Sequence, residues 1–386
     1  MQQASLPRST LFLLAMACAM AVANIYYNQP LLALMGESFG RNAEHSGQIA
    51  TVTQMGYALG LLMFVPLGDL FDRRKLLTFL ALANGASALV VAAAPSFAWL
   101  LLASALLGLT AVSAQIIIPA ATAVTDSASR GAVIGTLLSG LSAGLLFART
   151  LSGAVGDIWG WRTMFVVAAV LNLVLLFIVR GRVPAHKVTQ KQSIGALFLS
   201  LWTLIRTEPV LRRASLTGFC FFAAFSSLWG TLAELVSEPP LSLSVTQIGS
   251  FGLVGIAGLL ASPYIGRAVD RWHAKAVTLF GAMLVLLAFA LIGLVPASIT
   301  VLLVAMALVD IGNRSGMVSN QHNIYSLSEN ARSRLNTLYM VCYFLGGASG
   351  TAVGSIMVGA MGWVGLSLTG IGFILVATVL QLTNRR

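Results

Sequence analysis

Charge is what this chain has least of. Asp, Glu, Lys and Arg together make up 9% of its 386 residues, while 58% are hydrophobic. Soluble domains carry about 25% charged residues. A water-soluble protein of this size cannot cover its surface with so few charges. A bilayer lifts that requirement, because the solvent around the helices is itself apolar. The apolar runs are long and unbroken rather than alternating, which argues against a transmembrane β-barrel. An all-α membrane protein is the fold class that remains.

Other shortages exclude chemistries. Cys18, Cys220 and Cys342 are the only cysteines, and each lies inside an apolar run. They give no disulfide framework and read as small packing residues. His45, His186, His273 and His322 are scattered without metal-ligand spacing. No Gly-x-x-x-x-Gly-Lys-Ser/Thr occurs, so the chain carries no P-loop for ATP. Gly140-Leu141-Ser142-Ala143-Gly144 matches the hydrolase elbow pattern. That elbow requires a strand-to-helix turn with His and acid partners. Here it falls inside an apolar run, where small residues allow close helix contact. The chain does not read as an enzyme, and no cofactor is implied.

A span requires roughly 17–25 apolar residues. Candidates are Ser9–Leu34, Gly47–Leu67, Leu76–Ala94, Phe97–Ala121, Gly131–Val155 and Thr163–Val179, then Ala214–Leu235, Ile248–Ile265, Val277–Val295, Ile299–Gln321, Leu335–Ala360 and Trp363–Leu382. These are twelve spans. The first carries no obvious cleavage site and reads as a retained span. The net charge of +11 does not point to nucleic acid, because the basic residues form no groove-sized cluster. They lie in the short turns. With a cytoplasmic N-terminus, 19 of the 23 lysines and arginines fall inside, only Arg41 and Arg162 fall outside, and Arg149 and Arg314 lie within spans. That asymmetry places both termini in the cytoplasm. The one long loop, residues 181–213, carries Ile194, Leu197, Phe198, Leu201, Trp202 and Ile205 on one helical stripe. Either an interfacial helix or a plain tether between halves fits it.

Three landmarks repeat at nearly one offset. Gly68-Asp69-Leu70-Phe71-Asp72-Arg73 follows span two, and Gly266-Arg267-Ala268-Val269-Asp270-Arg271 follows span eight. Gly160-Trp161 and Gly362-Trp363 each open the last span of a half, and Gly135-Thr136 matches Asn336-Thr337. Two six-span halves in the same orientation follow, residues 1–180 and 214–386. Such a parallel repeat puts a substrate site near the midplane between the halves.

Over essentially its whole length the sequence resembles the major facilitator superfamily. The Gly-x-x-x-Asp-Arg turn with Arg74 and Lys75 resembles that family's signature loop, with a weaker copy in the second half. Asn24-Ile25-Tyr26-Tyr27-Asn28-Gln29-Pro30 is similar to a bacterial group related to the drug and metabolite proton antiporters. Two positions depart from that group. Ser104 stands four before Gly108 where an arginine is usual, and Ala148-Arg149 replaces a Gly-Pro pair. The resemblance implies a secondary transporter in a bacterial inner membrane, monomeric, taking a small-molecule substrate and protons. Its expected activity is proton-coupled efflux. The alternative is an importer or facilitator of an anionic metabolite.

Charged residues at mid-bilayer cost about 2.5–3.5 kcal/mol on insertion scales, so each one calls for a reason. Asp310 is halfway along span ten, and Arg314 lies one turn further on the same face. The pair reads either as a proton-coupling site or as a static pair holding the span. Arg149 in span five reads as a gate paired with Glu234 of span seven, as an anion site, or as packing. Asn24, Tyr27 and Asn28 of span one share a face, as do Tyr339 and Tyr343 of span eleven. With Gln54 and Gln115 they are candidate substrate ligands, the alternative for each being helix-to-helix packing. Gly68, Asp72 and Arg73, with Gly266, Asp270 and Arg271, are candidate gating residues at an inner latch.

Overall fold

The computed structural model describes residues 7–41, 43–126, 129–183, 193–328 and 331–383. Four of the 19 basic residues read as cytoplasmic, Lys187, Lys191, Arg385 and Arg386, lie outside these residues. Nine helices among the described residues are long and apolar enough to cross a bilayer. Two of them, Val245–Leu294 and Arg332–Leu382, each hold two spans that fold back at His273 and Gly362. A broken first span completes the twelve.

Local chemistry sets the ends. Asp72 caps span three (Arg73–Ala92) by accepting from the Lys75 N–H at 3.1 Å. Ser96 and Ser298 accept in the same way from Trp99 and Val301. Each occupies a donor that the first helical turn leaves unpaired. Gly160 and Gly362, the repeated Gly-Trp landmarks, both adopt left-handed φ, at 81° and 54°. That conformation strains residues with a Cβ and lets the chain reverse within one residue.

The repeat also appears in the packing. A Cβ at Gly140 or Gly144 of span five (Arg130–Trp159) would overlap the carbonyls of Ala15 and Ala19 in span one. A Cβ at Gly346 or Gly350 of span eleven would overlap those of Phe219 and Ala223 in span seven, Pro209–Ser237. The same i, i+4 glycine pair therefore seats the fifth helix of each half on its first. Backbones approach this closely only where side chains are absent.

Three spans are less regular than their apolar runs suggest. Span one is Arg8–Ala23, then turns, a 3-10 turn at Gln29–Leu31, and Leu32–Glu37. Pro30 lies in a true interruption of the helix beginning at Asn24, and polar Asn24 and Asn28 stand where the ladder opens. Span four is divided between Phe97–Thr110 and Ser113–Ala123. Span eight begins as Val245–Ser250, passes through a 3-10 segment Phe251–Gly255, and only then continues as α-helix. Between the halves, residues 194–207 form the expected short helix, with Leu197 and Leu201 buried and Leu199 and Trp202 exposed.

Candidate functional site

Arg73, Arg267 and Arg271 mark one end of the bundle, called here the basic end; the other is the far end. The halves meet tightly at the far end. Spans five and eight touch through glycine: a Cβ at Gly249 would lie 2.6 Å from the Arg149 carbonyl oxygen and 2.9 Å from Gly153 Cα. Thr150 donates to the Gly249 carbonyl at 3.3 Å, and Thr246 donates to Asp157 at 2.6 Å. Spans two (Ala43–Leu70) and eleven make a matching seam. A Cβ at Gly47 would overlap Ser355 Oγ, and Gln54 donates to Thr351 at 3.4 Å. Further along, the Tyr57 and Phe344 rings meet at 4.4 Å. Toward the basic end the same helices lose their cover. Gly131 and Gly135 of span five and Gly266 of span eight have open space where a Cβ would stand. The molecule is thus sealed at the far end, while at the basic end these glycines face open space.

Arg149 sits just inside the seal, 1% exposed. Its guanidinium lies 3.7 Å from the centre of the Trp229 ring, 5.0 Å from Tyr26 and 5.9 Å from Phe225. Its Nε donates to Gln29 at 2.7 Å. Tyr26 and Gln29 belong to the first half, Phe225 and Trp229 to the second, so one cation ties both. Aromatic faces hold a desolvated cation by their quadrupoles. The ion pair expected with Glu234 is not formed; Gln29 reaches in from the broken segment of span one and accepts from Nε, and aromatic faces surround the rest of the guanidinium. Arg149 Nη2 is buried without a hydrogen-bond partner. The crevice between Arg149, Pro30, Trp229 and Ile248 is too narrow to admit water.

Toward the middle, Asp310 and Arg314 of span ten (Ile299–Tyr325) pair at 3.5 Å. Asp310 is 7% exposed, and its Oδ2 has no hydrogen-bond partner. It stands against span eight, where a Cβ at Gly258 would overlap Oδ2. Arg149 acts on it electrostatically from the other half. Around these charges lie Tyr343, stacked on Phe222 at 4.0 Å and donating to Asn313 at 3.2 Å, and Gln115 beside the Tyr57 hydroxyl. Gln54 accepts from Ser226 of span seven at 3.4 Å. An open groove of about 530 Å³ lies elsewhere. It is an apolar groove lined by Met55, Leu59 and Leu106 of the first half and Val341 and Leu345 of the second.

The candidate residues therefore divide. Arg149 and Gln54 contact both halves, while Asp310, Arg314 and Tyr343 contact residues of the second half and Gln115 lies beside Tyr57 of the first. Asn24 accepts from Asn172 of span six at 3.1 Å, and Asn28 donates to Thr53 at 3.1 Å, so both engage their own half. Tyr27 is buried, and Tyr339 packs against Gly218 inside the second half. At the basic end Arg73 donates to the Gly68 and Pro119 carbonyls at 2.9 and 3.2 Å, knitting spans two and four. Asp270 and Arg271 are exposed, while Arg267 stacks on Tyr264 at 4.6 Å. Tyr26, Gln29, Tyr57, Phe222 and Trp229 are the interface residues the sequence reading missed. Tyr26 and Gln29 lie within the Asn24–Pro30 run; the others carry no signal beyond being aromatic in apolar helices.

Comparison with known proteins agrees with this architecture. The sequence model described as Major Facilitator Superfamily matches residues 11–238 and 214–385. The chain is 36% identical over 358 residues to the uncharacterized transporter YgaY of Escherichia coli O157:H7, covering 93% of this chain and 91% of that one. It is 27% identical to the purine ribonucleoside efflux pump NepI of Salmonella paratyphi A, over 67% of this chain and 65% of that one. Among solved structures, a bacterial homologue of the human lysosomal transporter Spinster superposes with a TM-score of 0.77 at 14% identity, over 97% of this chain and 96% of that one.

Proposed function

The chain belongs to the major facilitator superfamily and is a membrane transporter, and from that premise we propose that it exports a small molecule in exchange for protons by alternating access. Asp310 is the proton-carrying group. The observation that carries the reading is its position: a buried acid midway along span ten, paired with one arginine, facing another across the interface, beneath a sealed far end. With the basic end read as cytoplasmic from the lysine and arginine bias, the sealed far end fits an inward-facing state, the one in which an exporter loads. Each proton returning inward releases about 2.3 kcal/mol per 100 mV of membrane potential, enough to drive uphill export. The likeness to NepI, named as an efflux pump, supports that direction. Gly68, Asp72 and Arg73, with Gly266, Asp270 and Arg271, would meet as an inner latch when the halves rock the other way.

A second reading has its own observation. Arg149 Nη2 and Arg314 Nε are both buried without hydrogen-bond partners. Arg314 Nε still has its ion pair with Asp310, so the spare cationic donor is Arg149 Nη2, which suits import or facilitation of an anionic metabolite. Proteoliposomes with an imposed pH gradient separate the two, using inosine, tetraphenylphosphonium and benzoate as neutral, cationic and anionic probes. Export requires proton-driven flux of a neutral or cationic probe, lost in Asp310→Asn. Flux of benzoate alone favours the second reading, and coupling that survives in Asp310→Asn removes Asp310 from the mechanism.

A further inference from the structure

Span eight is regular at both ends and irregular between. In the 3-10 segment Phe251–Gly255 the chain makes three residues per turn, so positions three apart stand in one line. Glycines occupy that line at 252, 255 and 258. A Cβ at Gly252 would lie 2.9 Å from Arg149 Cβ and 3.0 Å from the Leu146 carbonyl oxygen. One at Gly255 would meet Leu146 Cδ2 at 2.5 Å and Asp310 Oδ1 at 4.0 Å. At Gly258 it would overlap Asp310 Oδ2 and come within 2.8 Å of Arg314 Nε. One bare edge thus runs from the caged arginine to the buried ion pair. One turn earlier is Gly249, the seal itself.

We infer that Gly252, Gly255 and Gly258 are positioning residues that carry the state of Asp310 to the far-end seal, the 3-10 segment being the part that changes length. The inference rests on the reading of Asp310 as the coupling group. A 3-10 helix rises about 2.0 Å per residue against about 1.5 Å in an α-helix. Tightening five residues retracts the start of span eight by about 2.5 Å and turns it by about 100° relative to the rest. That motion withdraws Gly249 from Gly153 and removes the acceptor of Thr150. A second observation shows where the motion starts. Asp310 Oδ2, buried and in its 3.5 Å ion pair with Arg314 Nε, rests against the place where Gly258 has no side chain. When the carboxylate loses its charge, its hold on Arg314 weakens and both side chains repack against this edge. Because the edge is bare, span eight slides without lifting side chains out of the grooves of its neighbours. The charged and titratable groups that act on Asp310 or beside it are Arg314 on its own span and Arg149 on span five, with Tyr26 of span one and Tyr343 of span eleven near Arg314.

The test is a double-mutant cycle in proteoliposomes. Ser355, 1% exposed at the seam with Gly47, is replaced by cysteine in protein lacking Cys18, Cys220 and Cys342. A membrane-impermeant maleimide added at the far end reads opening of the seal. Asp310→Asn should change the labelling rate by about fivefold or more, the usual floor for coupled sites. In a Gly252→Ala background that response should shrink to less than about twofold. Gly258→Ala should do the same, and it stands in should Gly252→Ala not fold; Gly135→Ala, in open space, should leave the response whole. An equal response in every background overturns the inference, as does no response to Asp310→Asn at all. Proton-driven flux in the same vesicles keeps the two claims apart. Flux coupling lost in Asp310→Asn with an additive cycle sinks the hinge alone. Coupling that persists sinks the role of Asp310.

Discussion

The contact between Gly153 and Gly249 makes a prediction whose sign follows directly from the geometry. Gly249→Ala places a methyl group 2.6 Å from the Arg149 carbonyl oxygen, 2.9 Å from Gly153 Cα and 3.3 Å from Gly153 N. All three neighbours are backbone atoms of one helix, so no side chain can rotate out of the way. Spans five and eight must therefore separate, at a cost of about 1–3 kcal/mol for overpacking a tight contact. The cost falls only on the sealed state, because in the unsealed state the two helices stand apart. At about 1.4 kcal/mol per factor of ten, the balance shifts toward the unsealed state by about 5- to 140-fold. Gly153→Ala should act in the same direction. The double substitution should add less than the sum, since one displacement relieves both clashes. Spin labels at Ile158 and Ser250, both exposed near the far end, would report the separation as a second, longer distance population. A distribution unchanged from the parent, with the protein folded, would refute the seal.

Other consequences follow from the same contacts. Trp229→Ala removes the nearest face of the Arg149 cage, worth about 2 kcal/mol where the cation is desolvated, and should raise far-end labelling of Ser355→Cys; Trp229→Phe should restore part of the seal. Gln29→Leu leaves Arg149 Nε without its acceptor and should lower the melting temperature in detergent, whereas Gln29→Glu should preserve it. Arg73→Ala deletes the donors to the Gly68 and Pro119 carbonyls, at about 1.5–3 kcal/mol for each bond to a charged group. It should destabilise the first half more than the mirror change Arg271→Ala does the second, measured by urea titration in micelles.

Much of the architecture was legible without coordinates. The paired landmarks Gly160-Trp161 and Gly362-Trp363 both turn on a glycine of positive φ, and the glycine run around Ser142 is helix packing, as its setting suggested. The site was legible only in outline. Asp310 and Arg314 announced themselves because charge is rare in an apolar run and i, i+4 spacing joins them locally. Arg149 announced itself for the same reason, but not its partners. Gln29 lies 120 positions away and Trp229 was one aromatic among many. Asn24 and Asn28 looked like substrate ligands because buried amides need partners; Asn172 and Thr53 of their own half supply some, while Asn28 Oδ1 stays buried without one.

The sequence alone determined what every residue owes to its solvent: how many segments cross the bilayer, which turns carry positive charge, and that two halves repeat. Those are local quantities, because the cost of placing a residue in hydrocarbon is incurred wherever the chain goes. Tertiary structure decided which polar groups meet and which end is shut. Those depend on the rotation and tilt of helices far apart in sequence, and on bare backbone surfaces where two packings of the same helices differ by little energy.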